Sequence, residues 1–256
     1  MTSEQGDHII RSYDEELEHL KELIARMGGL AETQLADAVD SLVRNDQELA
    51  TRTIRNDEKI DEIEHELDTY TVRMLALRQP VASDLRMVIS ALKVASDLER
   101  IGDYAANVAK RAVALHHQQP LDPVRSLPRM AKLVQTNIKR VLDAYAKRDA
   151  NMALNVWESD QEIDEMYTSL FRETLTYMME DPRSITSGTH LLFIAKNIER
   201  IGDHATNIAE IVYFMATGNQ IMIDRPKGDT SSFAVVEPPN EDKTPGSGSN
   251  NGDEQK

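Results

Sequence analysis

Glu99-Arg100-Ile101-Gly102-Asp103 recurs letter for letter as Glu199-Arg200-Ile201-Gly202-Asp203. Each copy holds two carboxylates four positions apart, a spacing that stacks both on one helix face, about one turn from each other. Two further pairs share the spacing: Asp57 with Asp61 and Asp160 with Asp164, each inside the word Asp-x-x-Ile-Asp. Helices in a bundle pack roughly 8–10 Å apart, so two facing pairs can bring four carboxylates to one point. Unneutralised, such a cluster repels itself and raises its own pKa values. A bound cation resolves the conflict. All-oxygen ligation suits hard ions such as Mg²⁺, Ca²⁺ or Mn²⁺, and carboxylate-rich bundles also hold iron. The cofactor expected is a divalent or trivalent metal (Mg, Mn, Fe or Zn) on Asp57, Asp61, Glu99, Asp103, Asp160, Asp164, Glu199 and Asp203.

An isolated acid pair at this spacing is ordinarily a solvated helix face. Helical phase argues otherwise here. Ala153, Trp157, Asp160, Asp164, Tyr167 and Phe171 step by four or three, so two acids share a stripe with small and aromatic residues. Ile89, Leu92, Ser96, Glu99, Asp103 and Ala106 form a similar ladder, as do Ala50, Ile54, Asp57 and Asp61. Glu64 and Asp68 make the middle of the latter helix more acidic, and Lys196 occupies the rung before Glu199. Gly102 and Gly202 mark either close backbone approach at the sites or plain helix packing.

The elements that must position these acids are helices throughout. A hydrophobic share of 40% supports a core, and an aromatic share of 5% favours small-sided helical packing. Ser12-Tyr13-Asp14-Glu15 reads as a capping box at or near the start of a helix running to about Arg44, with Gly28-Gly29 as a point of weakness. Asn45-Asp46-Gln47-Glu48 caps a second helix ending at Gln79-Pro80, and Ser83 caps a third reaching about His116. After Pro120 and Pro123 the pattern returns: Ser126 caps a helix to Lys147, Asp149 caps one to Glu180, and Asp181-Pro182 precedes a sixth that fades near Gly218. Matching landmarks lie about 100–103 positions apart, so the halves are homologous copies. The expected fold class is all-α: six long helices in two tandem homologous three-helix bundles, 8–117 and 125–218, joined by a linker at 118–124. Residues 219–256 form a mostly disordered tail, rich in Pro, Gly, Ser and Asn from about Lys227.

Charge narrows the partners. A net −15 opposes nucleic acid and anionic lipid and suits cations or basic protein surfaces. No cysteine is present, which excludes thiolate metal sites and cysteine nucleophiles. The first residues lack the form of a secretory signal, and no apolar run approaches the roughly 18–20 residues of a membrane span, so a cytoplasmic location is expected. Glu16-Leu17-Glu18-His19 and Glu62-Ile63-Glu64-His65 fit the Glu-x-x-His spacing of di-iron bundles, but neither recurs in the second half. They are the basis of an alternative reading, a carboxylate-bridged di-metal enzyme or metal store. No nucleophile triad or phosphate loop stands out, so no enzyme is expected.

The two Glu-Arg-Ile-Gly-Asp words, the segment Arg78-Gln79-Pro80-Val81-Ala82-Ser83-Asp84-Leu85-Arg86, Met27-Gly28-Gly29 and Tyr177-Met178-Met179-Glu180-Asp181 together resemble the PhoU family of bacterial phosphate-transport accessory proteins. The resemblance covers about residues 8–218. It implies two similar three-helix bundles side by side, and a negative regulator of the phosphate-starvation regulon and of phosphate uptake. In that role the chain would link a phosphate ABC transporter to a sensor histidine kinase, with its partners recruiting it to the inner membrane face. It also implies a homodimer and metal bound through acid-x-x-x-Asp pairs. On this chain those pairs are Asp57/Asp61 with Glu99/Asp103, and Asp160/Asp164 with Glu199/Asp203. Asn197 stands where the first half has Asp97, so the two sites need not match in charge or affinity.

Overall fold

In a computed structural model, which describes residues 3–118 and 121–222, the chain is helical, with no strand among the described residues. Helix α1 spans Ser3–Val43, α2 Gln47–Arg78 and α3 Ala82–Leu115. A 3₁₀ turn over Asp122–Ser126 leads into α4, Leu127–Lys147. Then follow α5 (Ala150–Glu158), α6 (Asp160–Glu180), a 3₁₀ turn at Pro182–Ser184, and α7 (Ile185–Thr217). Of the predicted tail, 219–256, all but residues 219–222 lies outside the described residues.

The cap residues explain several of these boundaries and correct others. Asp46, rather than Asn45, starts α2: its carboxylate accepts from the Leu49 backbone N–H at 2.9 Å. Asp149 does the same for α5, accepting from Asn151 and Met152. Ser83 caps nothing, because α3 has already begun and its hydroxyl reaches Asp84 instead. Ser126 likewise gives no side-chain cap, since the 3₁₀ turn runs directly into α4. Ser12 to Glu15 lies inside α1, nine residues or more past its start.

One expected helix is divided. Between α5 and α6 the hydroxyl of Ser159 donates to the Val156 carbonyl at 2.7 Å, and the Ser159 N–H bonds the same oxygen. A serine that satisfies the backbone locally competes with the regular ladder and breaks it. The break makes Asp160 the first residue of α6, where a carboxylate meets the positive end of the helix. Gly28, by contrast, does not interrupt α1, which runs through it. A β-carbon there would collide with Leu142, so glycine instead lets α4 approach closely.

The first bundle packs α1, α2 and α3 around Leu23, Met27, Leu35, Ile60, Leu67, Leu98 and Ile101. The second packs α4 to α7 around Leu127, Ile138, Trp157, Ile163 and Ile201. The bundles lie side by side through α3 against α7 and α1 against α4, and their apolar residues form one continuous core. Along the α3–α7 seam the contacts Arg86 to Gly218, Asp97 to His204, Tyr104 to Arg200 and Arg111 to His190 rise in number on one helix as they fall on the other. Two equivalent helices therefore run antiparallel, which sets the repeats about an approximate twofold axis with Gly102 and Gly202 at similar heights.

Candidate functional site

In the first half, α2 and α3 bring Asp57, Asp61, Glu99 and Asp103 close enough to repel one another, and they add Glu64. Burial pushes the Glu99 carboxyl up to about 7, helped by Asp103 and opposed by Arg100. Burial also raises Asp57, Asp61 and Glu64 above the ordinary carboxylate range, with Asp103 repelling all three. Arg100 is the nearby counter-charge, 3.2 Å from Asp103 and 3.4 Å from Glu99, but its side chain is 56 % exposed. Exposed pairs of this kind contribute little.

A third helix completes this group. Gln34 of α1 is 3 % exposed, and its Nε2 donates to Asp57 Oδ1 at 3.0 Å. Its Oε1 is buried with no hydrogen-bond donor. Gly102 admits both: a β-carbon there would stand 3.1 Å from Asp57 Oδ1, 3.4 Å from Gln34 Oε1 and 2.8 Å from Ile60 Cδ1. The spacing of the acids does not reveal Gln34, although the sequence carries one signal of it. Gln34 lies among the core positions Ala31, Leu35 and Ala38, and the residue 103 positions on is another amide, Asn137.

The second half is built from the same positions but closed differently. Asp160 is 2 % exposed and Glu199 is 4 % exposed, and Asp164 is buried as well. Thr206 of α7 donates to Asp160 Oδ1 at 3.0 Å. Lys196 Nζ donates to Glu199 Oε1 at 2.9 Å and lies 4.8 Å from the centre of the Tyr167 ring. Glu199 Oε2 is buried with no hydrogen-bond partner. Burial pushes Glu199 up to about 7, against the Lys196 hydrogen bond and with repulsion from Asp203 and Asp164. Gly202 faces Ile163 and Val134, with no site oxygen against it, so here the glycine serves apolar packing. Asn137 is buried with neither polar side-chain atom hydrogen-bonded.

The donor set is oxygen throughout, and Gln34 Oε1 and Glu199 Oε2 are buried acceptors that lack a donor. That chemistry fits a hard cation. Among the described residues, however, no three carboxylate or imidazole groups are closed around a common point as ligands. A cation would have to draw the carboxylates together against their repulsion. Neither Glu-x-x-His motif reaches these sites. Glu16 is held by a bidentate contact from Arg78 at 2.8 and 2.9 Å, His19 lies between Glu22 and Glu66, and Glu62 and His65 are exposed. Arg200 stacks on Tyr104 of the opposite bundle, which places it on the seam.

Comparison with known proteins gives a consistent picture. A family model for the PhoU domain matches residues 24–112 and again 127–212. The chain is 50% identical over 227 residues to a phosphate-specific transport system accessory protein PhoU homolog of Caulobacter vibrioides, covering 88% of this chain and 99% of that one. It is 51% identical over 226 residues to the like-named protein of Rhizobium meliloti, covering 88% and 95%. The crystal structure of PhoU from Pseudomonas aeruginosa superposes with a TM-score of 0.78 at 42% identity, covering 81% of this chain and all of that one.

Proposed function

This chain belongs to the PhoU family, and from that premise we propose that it is a regulatory accessory protein of phosphate transport, a negative regulator of the phosphate-starvation response. The observation that carries the proposal is similarity over nearly the whole length of named phosphate-transport accessory proteins, with both repeats matched. Its work would be to bind partners: components of a phosphate ABC transporter, a sensor histidine kinase and a second copy of itself. No helix among the described residues is long and apolar enough to cross a membrane, so any place at the transporter would come through protein contacts.

In this reading Asp57, Asp61, Glu99 and Asp103 hold metal in the first half, and Asp160, Asp164, Glu199 and Asp203 offer the second site. A metal would neutralise carboxylates that burial and mutual repulsion have pushed upward, stiffening α2 against α3 and α6 against α7. A chain of net −15 repels free phosphate, so phosphate status would arrive through the transporter as a change in which partner is held. The test pairs Asp103→Ala with Asp203→Ala. Metal content should fall and a phosphate-starvation promoter should become active in phosphate-replete cells. Full repression by a folded variant that has lost its metal would overturn a regulatory role for the sites.

A further inference from the structure

Besides Ala106, which corresponds to the Thr206 that holds Asp160, three further positions set the two acid sites apart. Ser96, exposed in the first half, corresponds to Lys196 in the second; Glu64 corresponds to Tyr167; and Gln34 corresponds to Asn137. The first change adds an ammonium and the second removes a carboxylate. Together they give the second site a cation of its own. Lys196 reaches the buried Glu199 at 2.9 Å, and its ammonium lies over the face of Tyr167, 4.8 Å from the ring centre. At 31 %, its side chain is less exposed than Arg100, so its charge is screened less by water.

We propose that Lys196 is an internal counter-ion standing in the second half for the metal that the first half binds, so that the two repeats are one cation-loaded site and one self-neutralised site. This rests on the metal reading given under Proposed function. The first half keeps five carboxylates against a half-exposed arginine and the exposed Lys110, which acts on Asp57 alone without a hydrogen bond to it. It also aims the buried, donorless Oε1 of Gln34 at the junction of Asp57 and Gly102, an oxygen that a cation would satisfy. In the second half a divalent ion must displace or sit beside an ammonium, and like charges at close range repel more strongly where water screens them less. The second site would then bind metal only weakly, at a concentration where the first is full.

The experiment is a Mn²⁺ titration of the full-length, EDTA-stripped protein, with free Mn²⁺ followed by its electron paramagnetic resonance signal. The wild type should show one class of tight sites, which Asp61→Ala with Asp103→Ala removes. Lys196→Ser should add a second tight class, binding about tenfold or more tighter than any weak class in the wild type. That variant leaves Glu199 buried without its partner, so the reciprocal change gives an independent reading. Ser96→Lys, at an exposed position, should weaken the first class by a similar factor, with circular dichroism confirming an intact helical fold. Two equal tight classes in the wild type would overturn the proposal, as would no change on either substitution. If no variant binds Mn²⁺ tightly, the metal reading itself fails, and the proposal with it.

Discussion

The two repeats carry the same acid-x-x-x-acid words at the same helical phase, yet the structure makes them into different objects. In the first, the carboxylates stand half-exposed and repel one another around a glycine that faces polar atoms. In the second, Asp160, Asp164 and Glu199 are buried and Asp203 is half-buried, Thr206 and Lys196 satisfy two of them, and the matching glycine faces only apolar carbon. Duplication preserved the spacing, and a few neighbouring residues changed what it does. A repeated motif is therefore evidence of common ancestry before it is evidence of common occupancy.

The largest effect expected from breaking the comparison is at the counter-charges. Lys196→Ala should destabilise the metal-free protein by about 2 kcal/mol, because it strands a buried carboxylate. Arg100→Ala should cost less than about 1 kcal/mol, because its pairs are exposed. Urea denaturation of both variants in EDTA decides this, and equal losses would mean that the two sites are energetically alike.

The next effect depends on pH. Glu99 and Glu199 are both raised to about 7 in the folded protein, from an ordinary 4.5. Between those values the folded state binds more protons than the unfolded one, so their contribution to stability is present below 4.5 and is lost as pH rises through 7. Glu99→Gln and Glu199→Gln should each flatten the fall in stability between pH 5 and pH 8, measured by denaturation in EDTA. A steeper fall in either variant would reverse the assigned sign.

The smallest effect sharpens the role of the buried amides. Gln34→Leu removes the donor to Asp57 and should lower stability by about 1 kcal/mol. Asn137→Leu removes two buried atoms with no hydrogen bond and should raise it by about as much. Thermal melts with the same sign for both would show that the two amides are equivalent after all.

Much of this was legible beforehand. The periodic ladders located the long helices, Pro80 and Pro182 marked two of the breaks, and Asp149 announced its own cap. Ala153, Trp157, Asp160 and Asp164 keep phase across Ser159, so the sequence predicts one continuous fifth helix. A single hydroxyl turned onto a carbonyl breaks the ladder without disturbing that phase. Lys196 was visible as a charged residue on the seam rung, but its partner was not. An amide such as Gln34, in the middle of an apolar face, gives no sign of which distant carboxylate it will meet.

The division between sequence and tertiary structure follows from the range of the interactions. Helix location, the duplication and the placing of each acid pair on one face rest on contacts three or four residues apart, which the 3.6-residue turn fixes locally. That Gln34 holds Asp57, that Thr206 holds Asp160, and that α3 meets α7 antiparallel depends on segments tens of residues or more apart. How deeply each carboxylate is buried depends on the same contacts. They form only when the apolar faces of whole helices are packed together, so only the tertiary structure could make two identical words into two unlike sites.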